Sequence, residues 1–264
     1  MDVMTALVVS FTFGLCIAYL KTVTLEKLFI DVQKVVIKCI EAVILPLLPF
    51  YIFGIFLDMT SSGQVASILI VFMKIIVVIF ILHVFLLLFQ YIVAGAFVKK
   101  NPFKLLANML PAYFTALGTS SSAATIPVTL KSTVKNGVSD GIAGFVVPFC
   151  ATVHLSGSAL KITACALAIM IMEGHAYDFS LFAEFICMLG VIMIAAPGVP
   201  GGAIMACVGI LGSILGFGNN EQALMIALYI TMDNFGTACN VTGDGAIAVV
   251  MNKYFKTKPK EAVA

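Results

Sequence analysis

The chain has no arginine: all fifteen of its basic residues are lysine. It therefore has no planar guanidinium fork to grip a carboxylate or phosphate in bidentate fashion. Charge of either sign is scarce, at 11% of residues, and the lysines are scattered among apolar runs for a net charge of +2. That distribution supplies no basic patch of the kind nucleic-acid binding needs, so no nucleic-acid partner is expected. A disulfide framework or zinc spacing is missing as well. The seven cysteines (Cys16, Cys39, Cys150, Cys165, Cys187, Cys207 and Cys239) are odd in number, far apart and mostly inside apolar runs, and read as small apolar packing residues. What the chain has in excess is hydrophobicity. An apolar content of 61% over 264 residues, with a mean hydropathy of +1.12, does not fit a water-facing surface, and the partner it implies is the lipid bilayer.

A helix crossing about 30 Å of hydrocarbon needs roughly 20 mostly apolar residues. Val3 to Leu20 is charge-free and just long enough. It reads as a span rather than a signal peptide, because Asp2 stands where a positive n-region belongs and no clear cleavage site follows. Leu25 to Leu57 combines an amphipathic half, carrying Lys27, Asp31, Lys34, Lys38 and Glu41, with an apolar half interrupted by Pro46 and Pro49. It reads as one crossing kinked at its prolines. Val65 to Val98, interrupted only by Lys74, His83 and Gln90, reads as one long tilted helix.

The remainder is different in kind. Phe103 to Gly118 is too short to span comfortably and runs into Thr119-Ser120-Ser121-Ser122-Ala123-Ala124-Thr125-Ile126-Pro127, after which a second short piece ends at Lys131 and Lys135. Gly141 to Met172 is long enough to cross but holds Pro148, His154, Ser156, Gly157, Ser158 and Lys161 in its middle. A second pair of short apolar pieces, Leu181 to Ala196 and Ala203 to Phe217, flanks Pro197-Gly198-Val199-Pro200-Gly201-Gly202. Gln222 to Met251 closes the set with Asp233 and Asp244 inside it.

Lysine placement orients these segments, since short cytoplasmic loops collect Lys and Arg. Lys21 and Lys27 put the first loop inside, the Lys-free stretch Asp58 to Gln64 lies outside, and Lys99, Lys100 and Lys104 return inside. A single full crossing through the serines would put Lys131 and Lys135 on the wrong side; a hairpin entering and leaving by one face keeps them inside. The second hairpin then opens to the Lys-free side, and the chain ends inside at Lys253, Lys256, Lys258 and Lys260.

A carboxylate near the bilayer centre costs at least about 2.5 kcal/mol on insertion scales, so Asp233 and Asp244 call for a structural or functional return; hydrogen bonds that only hold the bundle together are the bland reading, and two ionisable groups on one stripe favour function. Asp233, Thr237, Asn240 and Asp244 stand at i, i+4, i+7 and i+11 and share one helix face. Eleven residues rise about 16 Å, so the two carboxylates form parts of two adjacent sites rather than a proton-sharing dyad. The serine run and the Pro-Gly tip offer hydroxyls and bare backbone at membrane depth, where an anionic ligand or packing would satisfy them. Two half-length hairpins with broken tips, each followed by a polar helix, point to an inverted-repeat secondary transporter whose ligands meet near the midplane. A passive pore is the rival reading. An intramembrane protease is not supported: Leu155-Ser156-Gly157-Ser158 lacks the Gly-x-Ser-Gly of a serine enzyme, and Val241-Thr242-Gly243-Asp244 lacks the Gly-x-Gly-Asp of an aspartyl one.

At three places the chain resembles the dicarboxylate/amino acid:cation symporter family, the glutamate-transporter homologues. These are Ser120-Ser121-Ser122-Ala123-Ala124-Thr125-Ile126-Pro127 at the first tip, Gly198-Val199-Pro200-Gly201 at the second, and Asn240-Val241-Thr242-Gly243-Asp244 in the last helix. The resemblance implies an all-α polytopic membrane protein with an inverted-repeat transporter core, two re-entrant helical hairpins and an incomplete set of scaffold helices. Family members have eight spanning helices and two hairpins, and this chain looks like the end of the fourth helix onward. Residues 1–60 would be a remnant of the scaffold domain. Residues 61–252 would be the transport domain, with hairpin one at about 103–135, an interrupted helix at 141–172, hairpin two at about 181–217 and the last helix at 222–251. Residues 253–264 would form a cytoplasmic tail.

Carried over by position, the resemblance implies that Asp233 and Thr237 hold a substrate amino group, while Asn240 and Ser120, Ser121 and Ser122 hold its carboxylate. Ser158 would lie near the substrate side chain, and Pro197, Gly198, Val199 and Gly201 would form the extracellular gate. Asp244 would be a sodium ligand, aided by carbonyls near Cys150, Thr152 and Asn240. The family's acidic-substrate members place an Arg on the last helix or first hairpin; here Gly236, Asn234 and Ser120 occupy those places, which favours a small neutral amino acid. Lys161, the i+3 neighbour of Ser158, is the one substitute counter-charge for a dicarboxylate or acidic amino acid, with snorkelling or a carbonyl contact as its bland reading. His154-Leu155-Ser156 replaces the family's Asn-Met-Asp, which removes a carboxylate and a thioether from the cation sites. It also introduces an imidazole that could couple protons in place of sodium, or simply be a hydrogen-bonded structural histidine. The expectation is thus a sodium- or proton-coupled amino-acid symporter, not an enzyme, with no cofactor beyond the coupling ion and an elevator-type movement of the hairpin domain. It would be multi-pass in a cell inner membrane, with a cytoplasmic C-terminus and, by family precedent, a homotrimer. The rival is an N-terminally truncated fragment that does not transport.

Overall fold

The computed structural model describes residues 3–39, 42–43, 45–61, 65–196 and 201–255. Its ordered elements are α1 (Val3–Leu20), α2 (Val23–Cys39), α3 (Leu45–Ser61), α4 (Val65–Val98), α5 (Pro102–Thr119), α6 (Ser122–Lys135), α7 (Asp140–Val153), α8 (Ser156–Glu173), α9 (Phe179–Ala195), α10 (Gly202–Ser213), α11 (Asn219–Thr231) and α12 (Asp233–Phe255). There is no strand among the described residues, as an all-α membrane protein requires. Pro197, Gly198 and Val199 at the second tip, and Lys256, Lys258 and Lys260 in the tail, lie outside the described residues.

α4 is the organising helix. Its 34 residues extend about 50 Å, more than the hydrocarbon is thick, so it is long enough to span with some tilt. Its buried side chains, those of Phe72, Ile75, Ile79, His83, Leu87, Tyr91 and Ala94 among the described ones, follow one another at three- and four-residue steps and form a single narrow stripe. The opposite face bears exposed Val78, Ile81, Phe85 and Phe89, an apolar surface suited to lipid. The run Leu69–Val98 and the combined stretch Asp140–Glu173 are both long and apolar enough to cross a bilayer.

Two helical hairpins pack on this frame. In the first, Asn101 caps α5 by accepting from the amides of Phe103 and Lys104, with Pro102 in the first turn. Ser120 then turns the chain in a left-handed conformation (φ +49°), and Ser121 caps α6 by accepting from the Ala124 amide. The hairpin base is closed by Asn136, which donates to the Leu105 carbonyl at 3.0 Å and accepts from Asn108 at 2.8 Å. α9 and α10 form the second hairpin, where Asp178 caps α9. Gly201, at φ +72°, leads into α10 through a conformation that favours glycine.

One apolar core joins α8, α9, α10 and α11 to the first half of α4; a second joins α5, α7 and most of α12 to its second half. The lysine-bearing ends of α4 and α12 and the base of the first hairpin meet at one end of the bundle. There Lys100 donates to the Asn136 carbonyl, Asn252 accepts from the Ser139 amide, and Lys253 bonds to the Phe97 carbonyl.

Two segments differ from the sequence reading. The stretch 25–57 falls into α2 and α3, so Pro46 sits in the first turn of α3, where its missing N–H is harmless, and only Pro49 lies inside a helix. The stretch 222–251 is α11 and α12, broken at Met232 without a proline or glycine at that position. At this break the buried ammonium of Lys161 meets the carbonyls of Tyr229 and Met232, both at 3.2 Å, as a cation does at a helix C-terminus.

Candidate functional site

The breaks at His154-Leu155, between α7 and α8, and at Met232, between α11 and α12, lie where these helices pack together. Because α12 begins at Asp233, all four polar residues predicted to share a face do so on one uninterrupted helix, and all four are buried. The Thr237 hydroxyl turns back to donate to the Asp233 carbonyl at 2.9 Å.

Asn240 ties α12 to the start of α8. Its Oδ1 accepts from the Gly157 amide at 2.8 Å and the Ser158 amide at 3.3 Å, and its Nδ2 donates to Ser158 Oγ at 3.0 Å. Leu155, at the N-cap position of α8, offers no side-chain cap, so Asn240 supplies one from a different helix. This contact needs glycine at 157: a Cβ there would lie 2.7 Å from Cys239 Cβ and 3.0 Å from the Gly236 carbonyl.

Next to this cap is a buried ion pair. Lys161 is fully buried on α8, with its Nζ 3.4 Å from Asp233 Oδ1 and 3.3 Å above the centroid of the Tyr229 ring. With the carbonyls of Tyr229 and Met232, the carboxylate engages all three ammonium donors. The other carboxylate oxygen, Asp233 Oδ2, accepts from the Gly201 amide at 2.7 Å. The Tyr229 hydroxyl donates to Ser158 Oγ at 3.2 Å. Lys161 fits because residue 236 has no side chain: a Cβ on Gly236 would stand 3.0 Å from Nζ. Among the residues expected at the substrate site, Ser158, Gly201, Asp233 and Asn240 are thus linked through Lys161, Tyr229 and the α8 cap, and Thr237 stands between Asp233 and Asn240 on α12.

The far end of the α12 face is separate. Asp244 is buried with its Oδ1 2.8 Å from His154 Nδ1. Gln90 Nε2 donates to Ser156 Oγ at 3.3 Å, and the Tyr91 hydroxyl donates to the Thr242 carbonyl at 2.7 Å. Among the predicted cation ligands, Cys150 is buried, and its carbonyl accepts the His154 amide. Thr152 is exposed, with its hydroxyl on the Phe149 carbonyl.

At the first tip, Ser122 is buried, and the Thr119 and Thr125 hydroxyls lie 3.0 Å apart. α12 packs against both arms of this hairpin.

Four participants carried little or no signal in the sequence. His83 is within hydrogen-bond distance of the Gly157 carbonyl, at 3.0 Å, through its Nε2. It and Gln90 stood out only as polar interruptions of an apolar run. Tyr91 and Tyr229 gave no signal, because a tyrosine in an apolar stretch reads as packing until its hydroxyl partner is known.

Comparison with known proteins identifies the family. The model of the sodium:dicarboxylate symporter family matches residues 1–254. Excitatory amino acid transporter 1 of Rattus norvegicus is 29% identical over 246 residues, covering 90% of this chain and 44% of that protein. Excitatory amino acid transporter 5 of Homo sapiens is 32% identical over 154 residues, 58% of this chain and 27% of the relative, and excitatory amino acid transporter 2 of Mus musculus is 30% identical over 162 residues. The chain thus spans less than half the length of these curated relatives.

Proposed function

Because the chain belongs to the sodium:dicarboxylate symporter family, whose members are transporters rather than enzymes, we propose that it carries small neutral amino acids by cation-coupled symport. The observation that carries the neutral reading is the state of Lys161. In the substrate-free site its three donors are spent on Tyr229, Met232 and Asp233, and glycine stands at 236, so among the described residues no cation stands free here for a substrate's side-chain carboxylate. In this reading Asp233 and Thr237 receive the amino group. Asn240 and the tip serines Ser120, Ser121 and Ser122 receive the carboxylate, and Ser158 lies beside the side chain.

Asp244, with carbonyls near Cys150, Thr152 and Asn240, would carry the coupling sodium; His154, already on the Asp244 carboxylate, makes a proton the competing coupling ion. The protein would work in a cell inner membrane, as a homotrimer with its C-terminus in the cytoplasm. Residues 61–252 would move as the transporting unit past the helices of residues 1–60.

Uptake of labelled alanine into proteoliposomes holding the purified chain tests this. Accumulation is expected under an inward sodium or proton gradient. No accumulation of any neutral amino acid under either gradient would sink the proposal and favour the reading of a non-transporting fragment.

A further inference from the structure

We propose that Lys161 is a tethered counter-ion that allows the substrate-free site to close, holding at Asp233 the place a substrate amino group takes when the site is loaded. The proposal rests on the reading above that Asp233 receives that amino group.

Asp233 joins three helices. Its Oδ2 accepts from the amide of Gly201, the residue that opens α10, while its Oδ1 faces the ammonium of Lys161 on α8. The Gly201 bond latches the α10 end of the second hairpin onto α12. A carboxylate enclosed in this way needs a cation, because a buried charge stripped of its partner is far more costly than the intact pair. A bound amino acid would supply that cation. Without one, the chain supplies its own.

The geometry also shows how the two cations can alternate. The carboxylate contact, at 3.4 Å, is the longest of the three Lys161 hydrogen bonds; those to the Tyr229 and Met232 carbonyls are 3.2 Å. The ammonium also sits 3.3 Å over the Tyr229 ring. Lys161 can therefore yield the carboxylate to an incoming ammonium group and remain held by two carbonyls at a helix C-terminus and an aromatic face. Gly236 keeps the space for its ammonium open. The empty site is never a bare carboxylate, and its closure requires no cation from solution.

Hydrogen–deuterium exchange of the peptide carrying the Gly201 amide reads the latch directly. In the purified full chain without amino acid, wild type is expected to protect this amide. Lys161→Met is expected to exchange at least about tenfold faster, and millimolar alanine is expected to restore protection. An unprotected wild type, or a K161M protein as well protected as wild type without amino acid, overturns the proposal. If K161M does not remain folded, the K161M/D233N double variant decides, since an amide at 233 accepts the same bond with no charge left in the pair. Wild-type protection in the double variant supports the proposal and its loss overturns it. Protection lost in K161M and not restored by alanine upholds the role of Lys161 and counts against a neutral amino acid as substrate.

Discussion

His154 Nδ1 lies 2.8 Å from Asp244 Oδ1, so the residue that ends α7 is fastened to the middle of α12. Asp233 lies eleven residues, or about 16 Å, along the same helix, held by Lys161 and Gly201. One helix thus carries two buried carboxylates with different partners, and the two ends should fail differently.

Asp233→Ala is expected to abolish amino-acid binding, whereas Asp244→Asn is expected mainly to raise the sodium or proton concentration needed for half-maximal uptake. Calorimetric titration of alanine across a range of cation concentrations separates the two effects. Identical losses of both affinities in both variants would mean that the carboxylates only hold the bundle together.

Asn240→Ala removes the cap that α12 provides to α8 and leaves the buried Gly157 amide without its acceptor. The expected loss is about 1–3 kcal/mol of stability, visible as a lower Tm in detergent with no ligand present. An unchanged Tm would show that the α8 terminus finds another acceptor.

Gly157→Ala forces a Cβ to within 2.7 Å of Cys239 Cβ, and overpacking of this kind costs about 1–3 kcal/mol. The obstructing atom is itself a Cβ, so adding Cys239→Ser should not recover the lost Tm. Recovery would mean that the clash lies at the sulfur and that the helices sit farther apart than described.

If the glycine at 236 and the consumed Lys161 together exclude acidic substrates, replacing both should admit them. The Gly236→Arg, Lys161→Met double variant introduces a guanidinium from α12 and withdraws the Lys161 ammonium beside it. It is expected to bind aspartate at least about tenfold better than wild type does, a gain of about 1.4 kcal/mol, with weaker alanine binding. Competition between the two amino acids measures the switch, and unchanged preference would remove Lys161 and Gly236 from the basis of selectivity.

Much of the site was readable because helix periodicity is local. The spacing of Asp233, Thr237, Asn240 and Asp244 places them on one face whatever surrounds them, and the serine run that turns the first hairpin is made of helix-capping residues. Arginine's absence and the glycine at 236 were likewise plain in the sequence. What Lys161 does was not. Its three readings, counter-charge, snorkelling or carbonyl contact, could be resolved only by the position of the C-terminal end of α11, where the carbonyls of Tyr229 and Met232 lie about seventy residues downstream of it. The same holds for the break at Met232, which has no proline or glycine to announce it, and for His83 and Gln90, polar positions whose partners sit on α8. Composition and period determine which residues enter the membrane and which share a face. Which buried polar groups meet depends on the register between helices, and that is set by packing across the whole bundle.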